Sequence, residues 1–280
     1  MKKVLISGWL ALFALPVFGQ QYFATPEKAA TALADAVSTQ NETALNDLLG
    51  EDWRQYLPQR EADPEAVARF LRDWKVGHKI VEQGDMAHLN VGREAWQLPI
   101  PMLKTAEGWH FDMAQAADEI QTREIGRNEL SAIQAMHAYV DAQNEYYQHF
   151  QRYAKKLFSS PGKKDGLYWP TEPGEEPSPL GPAFSPVEPG EGYHGYRFRL
   201  IHDGDKQTVA LLAWPVAWGE TGVMSFMIDR RDRVYQANLG QDTATLVQAI
   251  TRFTPDEKWQ AIEQYPPARR IRMPPGGFLI

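Results

Sequence analysis

Carboxylates on a helical run are where acid–base chemistry could begin. Glu129, Asp141 and Glu145 fall in one stretch of apolar periodicity, and Asp141 and Glu145, four residues apart, share a helix face. Two carboxyl groups held roughly 5 to 9 Å apart can do the acid–base work of glycoside hydrolysis. The competing reading is a solvated face or an ion pair to Arg152 or Lys155. The imidazoles are His78, His88, His110, His137, His149, His194 and His202. His137 and His149 are twelve apart, an offset of more than about 100° at 3.6 residues per turn, so they cannot share a metal on one helix. His78, His88 and His110 could meet only if their strands are neighbours and the alternation of side chains puts them on one face. No metal site and no cofactor is expected.

Two chemical motifs are missing: the chain has no Gly-x-Ser-x-Gly elbow and no phosphate-cradling Gly-x-x-x-x-Gly-Lys. The segment Ser159-Ser160-Pro161-Gly162-Lys163-Lys164-Asp165-Gly166 offers amides and lysines to an anion. Placed after a long helix, it would face the dipole's negative end, which favours a plain helix stop and turn. The following residues Asp165, Tyr168 and Trp169, in Asp165-Gly166-Leu167-Tyr168-Trp169-Pro170, are less ordinary. Two adjacent aromatics in a Pro/Gly-rich loop either pin the loop to the body or form a stacking platform for sugar or peptide. Trp214 and Trp218, placed at a strand end and a turn, could join them.

Two sets of elements must position these groups. Thr25-Pro26-Glu27 reads as a helix N-cap, with Ala29, Ala32, Leu33, Ala36 and Val37 at helical spacing behind it. Asn41 caps a second helix ended by Gly50, and Asp63-Pro64 opens a third with Val67, Phe70, Leu71 and Trp74 on one face. The period then falls to two, giving strands over His78–Val81, Met86–Val91, Ala95–Leu103 and Trp109–Asp112. Next comes a long helix, from about Ala114 or Arg127 through Phe158, carried by Leu130, Ile133, Val140, Tyr147, Phe150, Ala154 and Leu157. The stretch 170–190 is dense in Pro and Gly and is either a flexible insertion or a rigid wrapped loop. Strands come after it at Tyr196–His202, Val209–Pro215, Val223–Asp229 and Arg233–Leu239, then a short helix over Thr243–Arg252. The expected class is α+β: N-terminal helices with an antiparallel meander over 20–121, then a long helix packed on a C-terminal antiparallel sheet over 122–264. Residues 265–280, which include Arg269, Arg270 and Arg272, are expected to form a flexible tail.

The first 19 residues read as a secretory signal peptide. Lys2 and Lys3 precede an uncharged apolar run from Val4 to Phe18, shorter than the roughly 20 residues a membrane helix needs. Cleavage is expected after Gly19, leaving no transmembrane segment. The chain contains no cysteine, which excludes a lipid anchor on a thiol, thiolate metal sites and cysteine nucleophiles. The formal charge of −7, falling to −9 on loss of Lys2 and Lys3, argues against nucleic-acid binding.

Several blocks resemble one exported bacterial family. They are Gly108-Trp109-His110-Phe111-Asp112, Glu124-Ile125-Gly126-Arg127-Asn128-Glu129-Leu130, Tyr139-Val140-Asp141-Ala142-Gln143 and Ser160 to Trp169, with Pro99-Ile100-Pro101 before them. Ser178-Pro179-Leu180-Gly181-Pro182, Tyr193-His194-Gly195-Tyr196 and Gly219-Glu220-Thr221-Gly222-Val223-Met224-Ser225-Phe226 complete the set. Together they resemble the domain-of-unknown-function 2950 family of Gram-negative bacteria, which implies a periplasmic location and assigns no residue a role. The second half is also similar to the head domain of pilins and pseudopilins: a long helix opening Arg127-Asn128-Glu129 precedes an antiparallel sheet, without the apolar half-helix of a polymerising pilin. The expectation is a periplasmic binding or interaction module, accessory to an envelope process, whose partner is an envelope protein or a saccharide or peptide ligand. The alternative is an envelope hydrolase using Glu129, Asp141 or Asp165.

Overall fold

Thr25 stops its own extended segment and starts α1 (Pro26–Ser38) because its hydroxyl takes the amide of Lys28. Asn41 repeats the device for α2 (Glu42–Leu49), accepting from the Ala44 amide at 3.1 Å. The computed structural model describes residues 20–56, 64–172, 174–181, 192–202 and 209–262. The expected signal peptide, the cap at Asp63, part of the Pro/Gly-rich stretch and the Arg-containing tail lie outside these residues. The chain divides into two compact units, 1–120 and 121–280.

In the first unit α1, α2 and α3 (Pro64–Val76) accompany a five-stranded antiparallel sheet. Its strands are β1 (His78–Gln83), β2 (Met86–Val91), β3 (Trp96–Gln97), β4 (Met102–Thr105) and β5 (Gly108–Phe111), in the order β1-β2-β4-β5 with β3 paired to β2. Alternation sends Ala87, Leu89 and Val91 of β2 into a core with Leu33, Leu48, Met102, Trp109 and Phe111. The expected single strand over Ala95–Leu103 is two short ones, because Pro99 and Pro101 offer no N–H to a ladder and divide it. Gly108 is needed where it stands. Phe23 bridges to Trp109, and a Cβ on Gly108 would lie 2.5 Å from the Phe23 carbonyl oxygen.

The division between units falls within α4 (Met113–Phe150), a 38-residue helix. In the second unit α4 packs on an antiparallel sheet of β6 (Tyr196–His202), β7 (Val209–Pro215), β8 (Met224–Ile228), β9 (Val234–Asn238) and β10 (Gln260–Ala261), ordered β10-β9-β8-β7-β6. Ala132, Met136 and Tyr139 of α4 meet Leu211, Ala213, Phe226 and Ile228 on one sheet face. The other face carries Ala210, Leu212, Trp214 and Met227 against Val247 of α5 (Thr243–Ala249). The fold is α+β.

The long helix stops at Phe150, eight residues before the expected end. Ala154 and Leu157 keep the apolar spacing, but Gln151 adopts φ +51° and turns the chain. The buried Gln143 side chain then holds the segment beyond the turn: its Oε1 accepts from the Ala154 amide and its Nε2 donates to the Ala154 carbonyl, both at 2.9 Å. A side-chain amide thus replaces the helical ladder.

Candidate functional site

Three blocks far apart in sequence meet near the start of the second unit. Glu129 of α4 accepts the amides of Val223 and Met224 through one carboxylate oxygen, both at 2.9 Å. Beside it Asn128 donates to the Thr221 carbonyl, and the Thr221 hydroxyl donates to the Gly195 carbonyl at 2.9 Å. Tyr196, fully buried, donates to the Met224 carbonyl at 2.8 Å. Burial, and then the negative charge of Glu129, pushes its phenol far above the usual range. Gly222 leaves room for it, since a Cβ there would sit 2.1 Å from the tyrosine oxygen. A carboxylate already engaged by two amides is an anchor for β8, and as a proton donor it is poorly placed.

The other candidate carboxylates behave differently. Asp141 and Glu145 are exposed on α4, the solvated face. Asp229, which sequence patterning passed over, is buried and satisfied by the Arg231 and Arg233 amides and the Arg233 guanidinium, 2.7 Å away. Asp165 closes the loop after α4. Its carboxylate takes the Ser160 amide at 2.7 Å, the Ser160 hydroxyl at 3.0 Å and Lys156 Nζ at 2.8 Å. These donors, Lys156 first, hold its carboxyl well below the usual carboxylate range. Lys156 Nζ also donates to the Ser160 hydroxyl at 2.7 Å, so serine, lysine and aspartate touch one another, an arrangement that a lysine placed four residues before the serine does not announce. A serine nucleophile needs a neutral lysine as base. Here the ammonium is paired with a carboxylate, and the cluster acts as a staple. It also revises the reason why this loop is a poor anion cradle. Asp165 itself occupies the Ser160 amide, and α4 has ended ten residues earlier.

Around that staple lies a group of rings. Phe158 bridges to Tyr168, with ring centroids 6.1 Å apart. Phe150 meets the edge of Trp169 at 6.4 Å and Tyr146 at 4.4 Å, while Tyr147 contacts Tyr153 at 4.8 Å. Lys164 stands 5.1 Å above the Trp169 ring. Pinning and exposure coexist here. Trp169 is 8% exposed, whereas Tyr147, Phe150 and Phe158 remain 37–40% exposed. Leu180, buried, donates its amide to the Leu167 carbonyl, so the described part of the Pro/Gly-rich stretch is wrapped onto the same loop. The Trp169 indole N–H is buried without a hydrogen-bond partner.

Trp214 and Trp218 do not join this group. Trp214 points to the α5 side of the sheet, opposite the face on which Trp169 packs, with Arg199 5.6 Å over its ring. Trp218 donates to Asn238 at 3.0 Å in the turn before β8. In the first unit His88 lies opposite Val81 and His110 opposite Leu103, with β4 between their strands, so they do not converge. Among the described residues no group of three or more His, Asp or Glu could hold a metal ion. A cavity beside Tyr139, Gln143, Tyr153, Val209 and Arg230 holds about 10 Å³, enough for one water. Among the described residues no helix is long and apolar enough to cross a membrane.

Comparison with known proteins gives one match. Residues 20–262 fit the family model described as "Protein of unknown function (DUF2950)". No curated protein and no solved structure matches.

Proposed function

Because the chain belongs to the DUF2950 family, whose description names no activity, we propose its function from its own side chains: it is an exported, periplasmic binding module. The carrying observation is the ring cluster at the end of α4, where Tyr147 and Phe150 of the helix and Phe158 of the loop that Asp165 staples and Trp169 and Leu180 anchor stay open to solvent. A rigid, partly exposed aromatic surface is suited to stacking against a saccharide or an extended peptide, since the cost of ordering it has been met within the fold. Two observations support export. Gln20 is the first residue of the family match, and its side chain donates to the Leu48 and Phe111 carbonyls, so the residue next to the expected cleavage after Gly19 is tied into the first unit.

Hydrolysis fits the side chains less well. Glu129 is committed to two amides, Asp165 to a lysine, and Asp141 and Glu145 lie open on a helix face. The test is co-sedimentation of the mature protein with purified envelope fragments. The wild type is expected to pellet, and a Tyr147→Ala/Phe158→Ala variant to stay in the supernatant. Equal pelleting of both, with Leu246→Ala on the exposed face of α5 as a control, would rule out the proposed surface.

A further inference from the structure

Resting on that reading, we infer that the ligand of the ring cluster is an acidic polysaccharide. The chain as a whole is acidic, with a formal charge of −7. Yet the thirteen residues that turn the chain after α4 carry Arg152, Lys155, Lys156, Lys163 and Lys164 and no acid. Two of these cations are used internally. Lys156 is paired with Asp165, and Lys164 sits over Trp169. Arg152, Lys155 and Lys163 are exposed, and among the described residues none makes an ion pair.

The acids nearest in sequence do not neutralise them. Glu176 approaches His149 at 3.8 Å, Glu175 accepts the Glu172 amide, and Asp165 is taken by Lys156 and Ser160. The surface therefore offers open cations next to open rings. Beneath them the indole N–H of Trp169 is enclosed and has no acceptor, so it is not part of the open surface. Rings that stack on sugar faces and cations that meet carboxylates are together the complement of a uronic-acid-type chain.

Titration calorimetry of the mature protein with a soluble oligogalacturonate tests this. The oligomer is expected to bind with an affinity that falls as salt rises. A neutral maltooligosaccharide of the same length is expected to bind about tenfold more weakly, as is the oligogalacturonate to an Arg152→Gln/Lys155→Gln/Lys163→Gln variant, because three exposed charge pairs together contribute that much. Equal affinity for the neutral oligomer would overturn the inference. So would equal binding of oligoglutamate, or preferential binding of phosphatidylglycerol vesicles. Envelope sedimentation separates the two levels. If the triple Gln variant still pellets while the Tyr147→Ala/Phe158→Ala variant does not, the acidic ligand is wrong and the binding surface stands.

Discussion

Replacing Glu129 separates an anchor from a catalyst. One carboxylate oxygen accepts the amides of Val223 and Met224, each at 2.9 Å, where the chain enters β8. Hydrogen bonds to a charged group contribute about 1.5–3 kcal/mol each, and half-burial of Glu129 places this pair at the lower end. Glu129→Ala leaves both amides without that acceptor and is expected to cost about 3 kcal/mol. Glu129→Gln keeps an oxygen for the same amides and loses the charge, which should cost about half as much. For a unit of this size each kcal/mol lowers the melting temperature by about 2–4 °C. The alanine variant should therefore melt roughly 6–12 °C below the wild type. Calorimetry resolves which transition moves, and only that of residues 121–280 should shift. Below its shifted transition, the Gln variant should bind envelope fragments as the wild type does. An alanine variant within about 0.5 kcal/mol of the wild type would refute the anchor. A Gln variant of unchanged stability that lost an envelope-degrading activity would make Glu129 catalytic after all.

The same geometry carries two more expected outcomes. Gly222→Ala drives a methyl group to within 2.1 Å of the buried Tyr196 oxygen, and chemical denaturation should register a loss of at least about 1–3 kcal/mol; a variant as stable as the wild type would show that Tyr196 can move aside. Asp165 has its carboxyl held below the ordinary value of 3.8, so its contribution is present above that pH and is lost as pH falls through the lower, folded value. Asp165→Asn should accordingly melt below the wild type at pH 7, with the gap closing below about pH 4, and a gap of the same size at pH 3 would contradict the staple.

Local signals identified most of the elements. Thr25 and Asn41 announced their helices because a capping side chain bonds within three residues. The alternation of β2 was equally plain, since its inner residues are Ala87, Leu89 and Val91. The hidden features depended on distant partners. Glu129 reads as one more helix acid, and its acceptor role comes from amides 94 and 95 residues further on. The end of α4 carries no Gly or Pro at Gln151, and the turn is held by Gln143, a residue inside the helix. Trp214 reads as able to join Tyr168 and Trp169 because β7 is apolar on both faces, and an unbroken apolar run conceals which residues share a side. The candidate loop itself was legible at Asp165, Tyr168 and Trp169. Of its open rings, Tyr147 and Phe150 read as ordinary core positions and Phe158 as the end of a longer helix.

The central claim is that the surface at the end of α4 is where this protein meets its ligand. Hydrogen exchange of the mature protein, with and without purified envelope fragments, measures this most directly. Slowed exchange is expected in peptides covering residues 144–170, with the first unit unchanged. Protection confined to residues 78–111, or none anywhere despite co-sedimentation, would contradict the claim.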